Sequence, residues 1–340
     1  MDIVYSSSDA YAICTGVSLY SLYENNKDID ILNVHVLSTD ISDINKSRLR
    51  DIAKDFGRIL DIIDAKEGFI AQARKLNLPL LRGAYNTYGR VVLNTWFSHL
   101  DKVMIIDSDT MVCGSIKEAW DIDMSNFLVA AVPELAMYTK YNHFEDPNLM
   151  ANVDMYYNMG ICLINLKKWR DDDVDNMLYN RLTEDKPKLM IADQSIINMY
   201  LNKFITRLPL KFNFYSPVHN VSYSAIRSVF SEKEVFSKDE FESSTASPSI
   251  IHYFGHSYER PWFKHSVALN KDVYLKTRGL TSWHDAKLDE WRNSTSKILL
   301  VYDVICYILL KFHCYDTCLK FRYNGGQIIK NILGINRVVK

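Results

Sequence analysis

The sequence predicts an α/β fold in which a mostly parallel sheet carries helices on both faces. Short apolar runs alternate with segments of helical periodicity through the first two thirds of the chain, which is typical of such sheets. The chain has 340 residues, of which 48% are hydrophobic and 24% charged, enough for one large core or two modest ones. Acidic residues directly follow one apolar run, and ligands bind at that edge of an open α/β sheet.

The strands and helices can be followed in order along the chain. The predicted strands are IVYS at 3–6, VHVLS at 34–38, RILDII at 58–63, the run ending at Ile106, FLVAAV at 127–132, MGICLINL at 159–166 and SIIHYF at 249–254. Helices are marked by residues at helical spacing, namely Ile13, Gly16, Val17, Tyr20 and Tyr23, then Leu49, Ile52, Ala53 and Phe56, then Val92, Thr95, Trp96 and His99 or Leu100.

Two aspartates follow the strand that ends at Ile106, in the stretch MIIDSDTMV at 104–112. Asp107 and Asp109 repel each other unless a positive group lies between them. The pair is therefore either a cation site or a cap for a turn or helix, because Asp and Ser side chains readily accept backbone N–H bonds. These residues alone are compatible with both interpretations.

Glycine-rich phosphate loops are missing from the sequence, which has 12 glycines and neither a P-loop nor a GxGxxG pattern. A bound nucleotide would therefore need its phosphates neutralised by a metal. The polar, aromatic stretch YTKYNHFEDPNLMANVDMYYN at 138–158 is long for a connection, which favours a functional lid.

The six cysteines are scattered and no signal peptide precedes the first strand, so we expect reduced thiols in a cytoplasmic protein. His313, Cys314 and Cys318 are close enough to suggest zinc, but no second Cys/His pair lies nearby in the sequence, which makes this a weak signal.

The C-terminal stretch combines positive charge with apolar residues. Residues 292–340 hold eight Lys or Arg against two Asp, around the apolar run ILLVYDVICYILL at 298–310, which is too short to span a bilayer. Two interpretations carry equal weight: a helix lying on an anionic membrane surface, or a core helix packed on the main domain. A nucleic-acid-binding arm is disfavoured because the stretch is too apolar.

Six blocks of sequence occur in the order seen in one enzyme family. They are MDIVYSSSDAYA at the start, YNTYGRVVLNTW at 85–96, DKVMIIDSDTMV at 101–112, YYNMGICLINLKKWR at 156–170, ADQSIINMYL at 192–201 and IIHYFGHSYERPWF at 250–263. With these blocks the chain resembles glycosyltransferase family 8, especially its bacterial lipooligosaccharide galactosyltransferases, with glycogenin a more distant relative. The resemblance covers about residues 1–270. It implies a GT-A type domain, placed at 1–265, followed by a basic, apolar, helical C-terminal region at 266–340.

The resemblance also implies site residues. It implies a UDP-sugar donor, a glycan or glycolipid acceptor, and Mn²⁺ or alternatively Mg²⁺ held by Asp107, Asp109 and His252. It places Asp193 and Gln194 under the donor sugar as the catalytic pair. The full set of residues implied to bind the donor is Ser7, Asp9, Arg90, Asp107, Ser108, Asn158, Asp193, Gly255 and Arg260. Without the family, His252 would be interpreted as a core histidine, Arg90 as an exposed helix arginine and Asp193 as an N-cap.

The implied activity is transfer of galactose or glucose with retained anomeric configuration, in the synthesis of a surface glycan at the cytoplasmic membrane face. Because the amide of Gln194 is a poor nucleophile, we expect a front-face route rather than a covalent glycosyl-enzyme. If residues 297–340 attach the protein peripherally to the plasma membrane, their deletion should release it from anionic vesicles and leave donor hydrolysis intact.

Two stretches depart from the family pattern. Relatives commonly carry an acidic pair followed by Asn where this chain has SSDA at 7–10, which weakens the expectation of uridine. Relatives commonly read HxxGxxKPW where this chain reads HYFGHSYERPW, with two extra residues and Arg260 in place of Lys. Arginine can still bind a phosphate bidentately, but its reach differs.

Two other functions compete with the enzyme hypothesis. A haloacid-dehalogenase-type phosphohydrolase also has an Asp-x-Asp after a strand, and Asp171, Asp172 and Asp173 could be its second metal pair, but that class has no role for His252. A non-catalytic UDP-sugar-binding subunit would bind the metal and UDP without turnover.

Overall fold

A seven-stranded sheet runs through the part of the chain that the structure, a computed structural model, describes: residues 1–78, 86–139, 150, 153–187, 189–291 and 297–325. The ten strands of the described residues are β1 Asp2–Ser7, β2 Asn33–Ser38, β3 Leu60–Asp64, β4 Lys102–Ile106, β5 Thr110–Val112, β6 Val129–Pro133, β7 Tyr157–Asn165, β8 Ile205–Arg207, β9 Phe214–Tyr215 and β10 Ile250–His252. The large sheet has the order β3-β2-β1-β4-β7-β6-β8, and a small sheet has the order β5-β10-β9.

The large sheet is mostly parallel, as the sequence predicts. The pairs β1 with β2, β1 with β4, β2 with β3 and β6 with β8 are parallel. Strand β7 runs antiparallel to both of its neighbours, β4 and β6. The reversed strand matters for the site, because it brings its own start beside the end of β4.

Both faces of the sheet are buried. Successive side chains of a strand point to opposite faces. Along β4, Val103 and Ile105 therefore join one hydrophobic core, and Met104 and Ile106 join the other. This explains why the strand is a continuous apolar run rather than an alternating one.

Helices cover the two faces. Among the described residues they are α1 Ala12–Glu24, α2 Asp43–Asp55, α3 Lys66–Lys75, α4 Asn94–Phe97, α5 Lys117–Trp120, α6 Leu166–Asp171, α7 Val174–Asp185, α8 Ala192–Tyr200, α9 Tyr223–Val229, α10 Lys238–Ala246, α11 Lys271–Gly279, α12 Lys297–Lys311 and α13 Tyr315–Lys320.

One predicted helix is shorter than expected. Between Val92 and Leu100 only the four residues of α4 are α-helical, and a 3-10 turn, Asn86–Val91, precedes them. β-Branched Val and Thr and the short polar side chains of Asn and Ser all favour helix less than Ala or Leu. Most of the predicted lid at 138–158, namely residues 140–149, 151 and 152, lies outside the described residues.

The C-terminal helices pack on the domain. Tyr302 and Cys306 of α12 and Cys318 of α13 form a buried cluster with Tyr258 of the domain, while Leu319 joins the main core. The opposite side of α12 exposes an apolar stripe, Val301, Val304, Ile305 and Ile308, with Phe312 following it. Within the described ranges, no helix has the length and apolar character that a membrane span requires.

Candidate metal and donor site

Strand pairing brings three predicted metal ligands together. Asp107 and Asp109 lie in the turn between β4 and β5, and His252 is the last residue of β10, which pairs antiparallel with β5. That pairing sets His252 opposite Thr110, next to Asp109. His252 Nε2 lies 3.3 Å from Asp109 Oδ1 and 3.7 Å from Asp107 Oδ2. One ligand atom from each of the three residues lies within 4.8 Å of the others, a spacing that one cation can bridge.

The charges around the two acids affect them differently. Burial raises the pKa of Asp107, and the guanidinium of Arg90 opposes that rise. Burial alone would also raise the pKa of Asp109, but the adjacent His252 and the charge of Arg260 lower it. The guanidinium groups of Arg90 and Arg260 therefore help the two acids to lie close together.

A buried asparagine orients the imidazole of His252. Its Nδ1 lies 3.0 Å from Oδ1 of the fully buried Asn213, which can only accept, so Nδ1 carries the proton and Nε2 keeps its lone pair for a metal. The ring also packs directly on the backbone of β7 at Gly160, where an added Cβ would lie 2.6 Å from Nδ1. A glycine is therefore required at this position for the ring to fit.

A buried chain of hydrogen bonds extends behind His252. Asn213 Nδ2 donates to Asn158 Oδ1 at 2.8 Å, and Asn158 Nδ2 donates to Glu134 at 2.6 Å. Asn158 Oδ1 also accepts from the N–H of Gly160. Burial raises the pKa of Glu134, against hydrogen bonds from Asn158 and a backbone N–H. Asn158 thus supports the histidine in this structure, and its contact to a donor stays a prediction.

Sequence reasoning did not find Asn213 or Glu134. Asn213 directly precedes β9, which pairs with β10, so only the register of the small sheet brings it to His252. Glu134 follows β6 with no local signal. The resemblance to HYFG and YYNMG blocks identified their neighbours, but not these two residues.

Arg90 connects Asp107 with Asp193. Its Nη2 donates to Asp107 at 2.5 Å, its Nη1 lies 3.3 Å from both oxygens of Asp193, and its Nε donates to the carbonyl of Met159. Its own backbone N–H also donates to Asp193, which does not cap its helix. The interpretations of Arg90 as an exposed helix arginine and of Asp193 as an N-cap are therefore wrong. Burial raises the pKa of Asp193, while Arg90 opposes the rise.

Gln194 opens α8 beside Asp193. Its side chain is buried, and Oε1 accepts a 2.9 Å hydrogen bond from the N–H of Met159 on β7. The amide oxygen is therefore used to fix the side chain on the same strand that carries Gly160. This contact places Gln194 beside the residues that surround the metal ligands.

The hydroxyls of Ser7 and Ser108 face inward. Ser7 Oγ lies 2.7 Å from Thr15 Oγ1, which donates to Ser108 Oγ at 2.9 Å. Asp9 accepts from the backbone N–H of Ser42 and from Asn45, at the start of α2, and these hydrogen bonds lower its pKa. These side chains brace loops in this structure, so donor contacts from Ser7, Asp9 and Ser108 stay predictions.

Arg260 lies on the other side of the acids. It lowers the pKa of Asp109 by its charge, and its Nη1 makes a 3.4 Å contact with the hydroxyl of Tyr11. Its buried Nε has no hydrogen-bond partner within the described part of the chain. Gly255 precedes it in the same loop with φ +113°, a backbone conformation that favours glycine. The loop thus carries a cation whose charge acts on Asp109, and a phosphate contact of Arg260 stays a prediction.

The other metal readings receive no support. His313 contacts the hydroxyl of Tyr315, and Cys318 Sγ contacts the carbonyl of Cys306. Asp171 and Asp172 pair with lysines one helical turn away. The cluster of Asp107, Asp109 and His252 is the one group of three or more metal-ligating side chains that the described residues bring together.

Comparison with known sequences agrees with the resemblance. A profile of glycosyl transferase family 8 matches residues 2–266. The chain is similar to a putative glycosyltransferase of Haemophilus influenzae, 25% identical over 63% of each chain. It is also similar to a lipopolysaccharide 1,3-galactosyltransferase of Salmonella typhimurium, 24% identical over 84% of this chain and 80% of that protein. The match therefore spans less than two thirds of the Haemophilus protein's length.

Solved structures share the fold. The bifunctional glycosyltransferase WbbM superposes with a TM-score of 0.70 at 24% identity, over 85% of this chain and 52% of that one. Galactosyltransferase LgtC, solved with donor and acceptor sugar analogs, gives a TM-score of 0.67 at 23% identity, over 84% of this chain and 99% of LgtC. The predicted GT-A type of fold, with its mostly parallel sheet, is thereby confirmed.

Proposed function

Since the chain belongs to glycosyltransferase family 8, we propose that it is a metal-dependent, retaining hexosyltransferase that uses a UDP-sugar. The transferred sugar is galactose or glucose, and the acceptor is a glycan or glycolipid of a lipooligosaccharide, capsule or other surface polysaccharide. Relatives named as lipopolysaccharide 1,3-galactosyltransferase and lipopolysaccharide 1,2-glucosyltransferase support this substrate class.

The observation that carries the proposal is the cluster of Asp107, Asp109 and His252 at the end of β4. Two carboxylates and one imidazole without thiolate suit Mn²⁺, with Mg²⁺ as an alternative, and His252 presents Nε2 because Asn213 binds Nδ1. When bound, the cation would neutralise the diphosphate of the donor as a Lewis acid. The proposed phosphate ligand is Arg260, and two observations support it: its charge lowers the pKa of Asp109, and its Nε has no hydrogen-bond partner among the described residues.

The residues around the cluster favour a front-face reaction. Gln194 has an amide whose oxygen already accepts a backbone N–H, so it is a poor nucleophile. Asp193 is engaged by Arg90 through three contacts and is held for hydrogen bonding rather than attack. In the proposed step the bond from the anomeric carbon to UDP breaks, the acceptor hydroxyl enters on the same face, and its proton passes to the leaving phosphate oxygen. The protein supplies position and charge stabilisation.

Donor hydrolysis tests the proposal. UDP-galactose, UDP-glucose and their N-acetyl analogues are incubated with Mn²⁺, Mg²⁺ or EDTA, and UDP and the anomer of the freed sugar are measured. We expect metal-dependent release from a galactose or glucose donor, with the α-anomer formed first. A protein that binds Mn²⁺ and UDP but releases no sugar, with water or with any glycan acceptor, would instead be a binding subunit.

Replacing Gln194 by alanine should separate binding from transfer. The amide lies in the first turn of α8 beside Asp193 and is not one of the three proposed metal ligands, so UDP affinity should change by no more than about twofold. Transfer should slow by about 100-fold, because a group placed near the reacting carbon is lost. Isothermal titration with UDP and Mn²⁺ gives the first quantity and initial rates give the second. Equal loss of both would argue that Gln194 serves only to hold β7.

We also propose that residues 297–340 contact an anionic membrane from the cytoplasmic side. The exposed stripe of α12 and the excess of Lys and Arg in this region support it, since apolar and basic groups together favour such surfaces. Ile305→Glu should reduce sedimentation with phosphatidylglycerol vesicles by about tenfold. The matched control is Ile59→Glu, because Ile59 is also exposed but directly precedes β3 and lies outside the stripe. Equal binding of the two variants would exclude the stripe as the contact.

A further inference from the structure

The loop that carries Arg260 is attached to the C-terminal helices. Resting on the proposed function, we propose that Asp303 and Arg322 are positioning residues, which hold the loop Gly255–Arg260 and with it Arg260, the proposed phosphate ligand. The loop is short, with the 3-10 turn Ser257–Glu259 at its centre. Its contacts to the C-terminal helices are made by side chains that no donor or metal role explains.

The first contact is a buried ion pair. Arg322 lies in the π-helical turn Phe321–Gly325, which directly follows α13. It donates from both Nη atoms to the two carboxylate oxygens of Glu259, at 2.7 and 2.6 Å, and the two side chains are only 12% and 8% exposed. Burial would raise the pKa of Glu259, but the charge and hydrogen bonds of Arg322 keep it below its ordinary value. Loss of Arg322 would leave a buried carboxylate next to Arg260 without its partner.

Glu259 also closes the loop on itself. Its Oε2 accepts from the N–H of His256 at 3.1 Å. A Cβ at Gly255 would lie 2.7 Å from the same oxygen, so the glycine leaves the space that the carboxylate fills. The conformation of the whole loop therefore depends on where Glu259 is held.

The second contact involves α12. His256 Nδ1 lies 2.9 Å from Asp303 Oδ1, and the imidazole stacks on Tyr258 with ring centroids 5.1 Å apart and an interplanar angle of 4°. Tyr258 in turn packs against Trp291 and Tyr307. The loop thus has three anchor side chains on the C-terminal region, the polar His256 and Glu259 and the aromatic Tyr258.

The C-terminal anchors lie beyond the stretch that the family profile matches. That match ends at residue 266, and α12, α13 and Arg322 follow it. The loop also lies within the stretch HYFGHSYERPW, in which the resemblance implies two extra residues.

The test compares Arg322→Ala, Arg322→Lys and Asp303→Asn with a matched control, Asp316→Ala. Asp316 also joins the C-terminal helices to the domain, through hydrogen bonds to the N–H and hydroxyl of Ser222, but it does not contact the loop. Amide hydrogen exchange of peptides covering 254–262, donor KM and kcat, and Mn²⁺ affinity are measured for each variant.

We expect Arg322→Ala to speed exchange in the loop and to raise donor KM by about tenfold, while kcat and Mn²⁺ affinity change by less than about threefold. Arg322→Lys should raise donor KM less than Arg322→Ala does, because lysine keeps the positive charge but cannot make two parallel hydrogen bonds to the Glu259 carboxylate. Asp303→Asn should give a smaller effect in the same direction, and Asp316→Ala should leave loop exchange and KM unchanged.

The proposal is overturned if Arg322→Ala and Asp316→Ala alter KM, kcat and loop exchange alike, because the helices would then only stabilise the domain. If the wild-type protein releases no sugar, the proposed function fails. The comparison of amide exchange still decides whether Arg322 and Asp303 hold the loop Gly255–Arg260. If Arg322 and Asp303 hold the loop, deleting residues 297–340 should impair donor hydrolysis as well as membrane attachment, whereas the sequence alone predicts that hydrolysis stays intact.

Discussion

His252→Ala, Asp107→Ala and Asp109→Ala are expected to lower metal-dependent donor hydrolysis by at least about 1000-fold. Each replacement removes one of the three ligand atoms that lie within 4.8 Å of one another, and the two remaining ligands would hold the cation much more weakly. Without the cation, the charge of the departing diphosphate is not neutralised. Mn²⁺ affinity, measured by isothermal titration or by the paramagnetic resonance of free Mn²⁺, should fall in parallel. Near-normal turnover in any one of the three variants would remove that residue from the metal site.

Asn213→Ala provides the graded control for this prediction. It leaves all three ligands in place but removes the acceptor that orients His252, and loss of such a supporting group usually weakens metal binding by about 10- to 100-fold. Excess Mn²⁺ should restore much of the activity of Asn213→Ala and little of that of His252→Ala. If excess metal rescues neither variant, Asn213 would have a role other than orienting the imidazole.

Much of the fold could be predicted because its signals are local. Buried strands such as Lys102–Ile106 are apolar on both faces, and their alternation with helices indicates a mostly parallel sheet. The reversed direction of β7 has no such signal, because strand direction depends on long-range pairing. The shortened helix near Val92 also follows from weak propensity that tertiary packing does not offset.

The site could be predicted in part. The two aspartates follow directly from the end of β4, whereas His252 lies more than a hundred residues away and was identified only through the family blocks. Asn213 and Glu134 reach the histidine through the register of β9 and β10 and through Asn158, and sequence spacing does not encode such contacts. The pair of Glu259 and Arg322 was hidden for the same reason.

Arg90 shows most clearly how the structure changes an interpretation. From the sequence it is either a surface residue or a donor ligand, but in the structure it joins Asp107 to the buried Asp193. Only 13% of the Arg90 side chain and 3% of the Asp193 side chain are exposed. If one partner were removed, water could not hydrate the charge that remains. Arg90 is thus the group that lets the carboxylate after β4 and the carboxylate in the first turn of α8 lie close together.

Arg90→Met should therefore lower both stability and activity. Removing one partner of a buried ion pair typically costs about 3–5 kcal/mol in the free energy of unfolding, because the other charge stays buried. Arg207→Met is the matched control, since it breaks the more exposed pair with Glu240 near the edge of the sheet and should cost no more than about 1 kcal/mol. Urea unfolding of the two variants measures the difference, and similar losses would contradict the role of Arg90 as a buried counterion.

The double variant Arg90→Met/Asp193→Asn separates structure from function. Neutralising Asp193 removes the unpaired buried charge, so much of the lost stability should return. Donor hydrolysis should remain at least about 100-fold below the wild type, because the charge beside Asp107 and the carboxylate assigned to the donor sugar are both missing. Recovery of activity together with stability would show that Arg90 and Asp193 act only as a structural pair. Recovery of stability alone would place both residues in the donor site itself.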